Sequence, residues 1–244
     1  MATILTGFPQ VSGADLLENS SVQNFPIGAY METSDGRGFR YFKNGAVATV
    51  AGKVYQGPAA DATNYTPSGG LGVSAAVAVG DTSITCSTST TWTANALAGG
   101  YLSVDVTPGQ GYLYKIKGNT ATSGATGGVI YLEDPIRVAL TTSSKFIVTP
   151  HPYNGAVIEP GTPTSVILGV APGIVTAGYY GWIQTKGVCS ALFTGTGVAG
   201  KAVGSLSGGT SGSLAPCIAA TNIAGYHVAT GITGEYALVY LTIG

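Results

Sequence analysis

Charge is what this sequence has least of. Asp, Glu, Lys and Arg make up 9% of its 244 residues, where about 25% is usual for a soluble domain. A folded monomer of this size exposes roughly 10,000 Å², or about 500 Å² for each charged side chain. Free monomers normally rely on charge to stay dispersed. Either part of the surface is covered in an assembly, or Ser, Thr, Asn and Gly do the solvating. No basic stripe accompanies the net charge of −1. Arg37, Arg40 and Lys43 lie close together, but Glu32 and Asp35 offset them. Direct nucleic-acid binding needs such a stripe to neutralise phosphates, so it is not expected.

Catalytic and metal-binding residues are equally scarce. The three cysteines, Cys86, Cys189 and Cys217, are far apart and show no CxxC spacing, which excludes a zinc site of the usual kind. Their odd number argues against a complete disulfide framework. Buried thiols are expected, with a Cys189–Cys217 bridge left open. There are two histidines, the commonest general bases. His151 sits between Pro150 and Pro152, and His227 lies in a predicted strand. No GxSxG elbow presents a serine nucleophile. Glu133 and Asp134 are adjacent and precede Pro135, whereas Glu159 and Glu235 stand alone in turn-like settings. None of these forms the opposed carboxylate pair of a glycosidase. Gly195–Gly200 matches GxGxxG, but Lys201-Ala202-Val203-Gly204 follows it in place of a helix, so a loop is predicted. Asp35-Gly36-Arg37-Gly38 lacks the alternating acids of a calcium loop and reads as a turn. The expectation is a non-enzymatic chain with no catalytic residues, no metal and no cofactor.

Long apolar runs are missing too. Leu71–Val79 is too short to span a membrane. Residues 1–10 carry no basic segment of a secretory signal, so a soluble product made in the cytoplasm, with no membrane partner, is expected.

With 38 Gly and 12 Pro, helices would be interrupted repeatedly. Gly13–Glu18 offers one helical turn. What is present is a series of short β-branched and aromatic runs bounded by Gly, Pro, Asn or Asp, the pattern of an all-β protein. Residues 1–66 read as an extended N-terminal arm, to about residue 26, and a small antiparallel β meander. In the meander, Asn44-Gly45 predicts a type I′ hairpin between 39–43 and 46–50. A further turn at Ala51-Gly52 leads into 53–56. Residues 67–150 read as a middle β-sandwich or barrel domain with strands at 83–86, 101–106, 112–117, 128–132, 137–140 and 145–148. Residues 151–244 read as a C-terminal Gly-rich β domain. Its last segment, Tyr236–Ile243, is apolar on both faces and predicts a central strand or one covered by a partner.

Fourteen tyrosines are present, and Tyr179-Tyr180-Gly181-Trp182 is the densest aromatic patch. Aromatic side chains fill cores, anchor interfaces or stack on sugars. Tyr179, Tyr180 and Trp182, with Phe39 and Tyr41 of the meander, are the candidate interface residues.

Two stretches resemble segments of structural proteins from tailed-bacteriophage virions, the capsid decoration, head fibre and minor capsid type. One is Gly38–Pro58, GFRYFKNGAVATVAGKVYQGP; the other is Gly178–Cys189, GYYGWIQTKGVC, with the Gly-rich strands after it. The resemblance covers about half of the chain. It implies all-β domains, homo-oligomers with trimers favoured, and attachment to the major capsid protein on the virion surface, with no catalytic residues to carry over. A tail, adaptor or receptor-binding module with a carbohydrate site around Tyr179, Tyr180 and Trp182 is the alternative. A virion-borne hydrolase with two opposed carboxylates is a third reading.

Overall fold

The short β-branched runs do form strands, and they pair over long sequence distances. The computed structural model describes residues 15–59, 71–87, 91–123, 127–205, 208–217 and 222–244. Among these there is no α-helix; a single 3-10 turn spans Asp15–Leu17. The strands are β1 (Tyr30–Glu32), β2 (Gly38–Asn44), β3 (Val54–Gln56), β4 (Leu71–Val73), β5 (Ser83–Ser87) and β6 (Thr91–Trp92). Next come β7 (Tyr101–Val106), β8 (Leu113–Asn119), β9 (Thr122–Ser123), β10 (Gly128–Leu132), β11 (Lys145–Thr149) and β12 (Asn154–Ile158). The last are β13 (Ile167–Val170), β14 (Tyr180–Leu192), β15 (Ala202–Ser205), β16 (Ala215–Pro216), β17 (Asn222–His227) and β18 (Tyr236–Thr242). The protein is all-β.

The chain divides into two units, Met1–Ala59 with Pro152–Gly244, and Ala60–His151. The second is therefore an insertion between β3 and β12. The insertion points lie together, since a side chain on Gly57 would meet the Pro152 carbonyl oxygen at 3.1 Å. Adjacent ends let a domain be inserted without disturbing its host. This corrects the three-part division expected from the sequence. The meander and the C-terminal strands are one body because β2 pairs with both β12 and β14, pairings across more than 100 residues that no local pattern encodes.

The inserted unit is a closed barrel in the order β10-β5-β4-β11-β7-β8. Period-two alternation drives it. In β8, Tyr114 and Ile116 point inward while Leu113, Lys115 and Lys117 face solvent. Inward side chains of Ile84, Leu102, Ile130 and Phe146 complete its core. The strand expected at 137–140 is reduced to one bridge, Val77 to Leu140.

In the first unit, β2, β12, β3, β13 and β14 pair in succession and β14 returns to β2, closing a ring. Phe42, Ala156, Tyr55, Leu168 and Ile183, one from each strand, form a common cluster. β14 is long enough to serve two sheets. Its first half pairs with β2 and its second half with β18. Between them Gly187 takes φ 84°, and the buried Gln184 amide donates to the carbonyls of Lys186 and Val188 at 3.0 and 2.9 Å, bracketing the bend. Beyond β14 the sheet continues through β18, β17, β15 and β16. Its inner face packs Phe193, Val203, Val239 and Leu241 into a second cluster.

Two local expectations are overturned. Asn44-Gly45 is not a hairpin turn, because residues 46–50 do not form a strand. The Asn44 side chain is buried and donates to the carbonyls of Val47, Val175 and Thr176 at 2.8, 2.8 and 3.2 Å. Its Oδ1 accepts from the Gly45 amide at 2.9 Å. The described part of the N-terminal arm is not a free extension either. Leu16 is buried with Met31, Phe39, Tyr41 and Trp182; residues 1–14 lie outside the described residues. The Cys189–Cys217 bridge left open does not form: all three thiols are free.

Candidate functional site

The candidate aromatic residues divide sharply. Phe39, Tyr41 and Trp182 are buried within the single chain, which corrects their assignment to an interface. Alternation explains it: Phe39 and Tyr41 point from β2 to the side covered by residues 16–29, and Trp182 lies opposite Tyr41 on β14. Glu18 anchors the cluster. Its carboxylate accepts from the Trp182 indole at 3.0 Å, the Tyr41 hydroxyl at 3.2 Å and the Asn24 amide at 2.7 Å. Burial pushes the Tyr41 phenol up to about 12, opposed by the Asn24 backbone amide and reinforced by the Glu18 charge. Trp182 therefore offers no face to a sugar. Tyr180 is half-buried, stacked at 6.1 Å on Tyr41 with the Lys43 ammonium 5.6 Å over its ring. Tyr179 is exposed.

The exposed surface of interest lies elsewhere in the same unit. On β18, Ala237, Val239 and Leu241 point inward while Tyr236, Leu238 and Tyr240 point outward. Register carries this face sideways. Tyr240 lies opposite Val188 of β14 and Tyr226 of β17, and the Val228 amide donates to the Leu238 carbonyl at 3.0 Å. Cross-strand partners share a face. Tyr226, Val228, Val188, Tyr236, Leu238 and Tyr240 are each 43–52% exposed. The sequence marked this strand as apolar on both faces, yet which residues face outward, and which neighbours extend the face, depends on pairings with β14 and β17.

The face borders a groove of about 720 Å³. Val50, Ile174, Val188, Tyr236 and Leu238 supply its large apolar lining. Gly52 makes the floor possible. It has φ 74°, and its missing side chain leaves room for the Tyr236 ring, which a Cβ would meet at 2.5 Å. Among the described residues no carboxylate and no histidine lines the groove. Its one thiol, Cys189, is pushed up to about 12 by burial, so it is no nucleophile at neutral pH. Arg37, held by Asp35 at 2.7 Å, is the one charged residue lining the groove among the described residues. A smaller apolar groove of about 160 Å³ lies among Val47, Val50, Tyr55 and Val157.

No family model, curated protein or solved structure matches this chain. The reading of the site therefore rests on its own chemistry.

The acids and histidines singled out from the sequence sit in structural settings. Glu133 pairs with Lys115 at 3.3 Å. Glu32 accepts from Tyr30 and Lys186 at 2.8 and 3.2 Å, and these contacts, Tyr30 first, hold its carboxyl below the ordinary value. Glu159, expected in an open turn, is buried. One of its oxygens accepts from the Gly161 amide at 2.9 Å, and the other has no hydrogen-bond partner among the described residues. Among the described residues no group of three or more His, Cys, Asp or Glu could hold a metal ion, and no helix is long and apolar enough to cross a membrane. His151 belongs to the inserted unit, its ring 6.0 Å from Tyr101.

His227 is buried against Phe193, ring centroids 4.5 Å apart, and roofed by Gly197, where a side chain would strike the imidazole. Burial lowers its proton affinity, opposed in part by the Ala229 backbone. Above the unfolded histidine value of about 6.5, both folded and unfolded states are neutral here and the residue contributes no pH dependence. Below it the unfolded chain takes up the proton first, so stability falls with falling pH. The melting temperature should drop between about pH 7 and pH 5. His227→Gln should flatten that decline, as read by thermal melts across the window; an equally steep decline in the variant would contradict it.

Proposed function

We propose that this chain is a non-enzymatic virion structural protein that decorates or cements a tailed-bacteriophage capsid by binding the major capsid protein shell. The observation that carries the reading is the outward apolar face of β14, β17 and β18 with its bordering groove, on a chain with very little charge. Monomers seldom expose a contiguous apolar patch above about 300–600 Å² unless it meets something. A groove without carboxylate, histidine or reactive thiol suits contact better than chemistry. The resemblance of Gly38–Pro58 and Gly178–Cys189 to phage structural proteins supports the same reading and supplies the partner. In this reading the protein assembles as a homo-oligomer, with a trimer implied by the resemblance, and acts on the capsid surface without direct contact to nucleic acid or membrane. A tail or receptor-binding module with a carbohydrate site would have to rely on Tyr179 and half of Tyr180, since Trp182 is sequestered.

The test is quantitative mass spectrometry of purified particles of the encoding phage, with immunogold labelling. The protein should be present in fixed proportion to the major capsid protein and spread over the head. Absence from particles, or a few copies confined to the tail, would remove the proposal.

A further inference from the structure

We infer that the outward face of β14, β17 and β18 is where this chain meets a second copy of itself. This rests on the reading above of an assembling structural protein and adds the surface and the occupant.

The area comes first. Six outward side chains, Val188, Tyr226, Val228, Tyr236, Leu238 and Tyr240, are each close to half exposed. Aromatic side chains bury on the order of 150–250 Å² each, so the six present roughly 500–600 Å². Val50 and Ile174, 45% and 66% exposed and lining the same groove as Val188, Tyr236 and Leu238, bring the surface to about 700–800 Å². A stable protein interface takes about 800 Å² from each partner. The patch reaches that scale without recruiting loops.

The chemistry selects the occupant. A different protein is usually chosen through charge complementarity. This face offers little: its outward positions are Val, Tyr, Leu, Ser and Thr, and the two cations at its margin are already paired, Lys186 with Glu32 at 3.2 Å and Arg37 with Asp35 at 2.7 Å. Two identical faces therefore meet with no unpaired like charges opposed. Tyrosine hydroxyls both donate and accept, so Tyr226, Tyr236 and Tyr240 can satisfy their own counterparts across the contact. Tyrosine is also a residue type enriched at interface centres. The face is rigid because it belongs to the middle of the sheet: β18 is hydrogen-bonded on both edges, by β14 and β17. Little ordering entropy opposes association.

The experiment is light scattering after size exclusion on the full chain at concentrations on the order of tens of micromolar. Wild type should elute at twice the 24.4 kDa chain mass, because two identical faces pair across a two-fold axis; a mass of three chains, the state the phage resemblance implies, needs a head-to-tail contact and counts against this one. Leu238→Lys with Tyr240→Lys should elute as a single chain, with circular dichroism and melting of the dissociated chain intact. Both side chains face solvent in the single chain, so they can change without touching the core. Leu238→Ser with Tyr240→Ser guards against misfolding and should weaken association about 100-fold, since a few central side chains carry most of the energy of an interface. Val157→Lys, on the other groove, should leave the mass unchanged. A monomeric wild type, or a lysine variant that keeps the wild-type mass, overturns the inference. The two proposals fail separately. A monomeric wild type that still enters particles sinks this interface and spares the capsid role. An oligomer that the lysine pair dissociates, but that particles lack, does the reverse.

Discussion

Trp182→Ala should destabilise the first unit by about 3–5 kcal/mol, the range for removing a large buried aromatic side chain. The indole is enclosed by Tyr41 and Phe25, ring centroids 5.0 and 5.2 Å away, and its N–H donates to Glu18. Truncation opens a cavity and strips the Glu18 carboxylate of one of its three donors. Because that carboxylate also holds Asn24 and Tyr41, the loss should loosen residues 16–29 as well. Chemical denaturation should show an earlier transition, and hydrogen exchange should show faster opening of the segment before β1. Trp182→Phe retains most of the packing but loses the N–H bond, and should cost about 1–2 kcal/mol. An interface tryptophan would behave otherwise: Trp182→Ala would then change the oligomer mass and leave the melting of the single chain untouched.

Asn44 is the second site of large expected effect. Asn44→Ala should cost about 2–4 kcal/mol, because it removes at once the three bonds that the amide donates to the Val47, Val175 and Thr176 carbonyls and the one that its oxygen accepts from Gly45. Asn44→Asp is the sharper test. In a type I′ hairpin, Asp-Gly is nearly as good as Asn-Gly, and the substitution would be mild. Here the carboxylate would replace a donor that faces three carbonyl oxygens. Asp should therefore be worse than Ala at neutral pH, and urea midpoints of the two variants decide it. A melting curve for Asn44→Asp close to wild type would restore the hairpin reading and contradict the buried bracket.

The two sites show one physical lesson from opposite ends. Asn-Gly is a turn signal because both residues tolerate positive φ, but backbone tolerance does not say which bonds the amide will make. In this fold β2 ends where the β13–β14 connection passes, and the Val175 and Thr176 carbonyls of that connection converge with the nearby Val47 carbonyl on the amide. Trp182 and Tyr41 are aromatic enough for an interface, but the segment around Leu16 and Phe25 covers them first. The described part of the arm and Trp182 belong to one cluster, since the arm is what buries the tryptophan.

Local pattern by itself determined the all-β class, the strands from Tyr101 to Val106 and from Gly128 to Leu132, and the scarcity of charge. Each follows from neighbours in sequence: β-branched alternation, Gly and Pro punctuation, and composition. Tertiary structure alone decided that the meander and the C-terminal strands are one body, that Asn44 is a bracket, and that Tyr226, Val188 and Tyr240 share a rung. Those outcomes depend on pairings such as Trp182 with Tyr41 and Val188 with Tyr240. Strand partners far apart in the chain are chosen by the packing of the whole sheet, and a period-two pattern is the same whichever partner lies beside it.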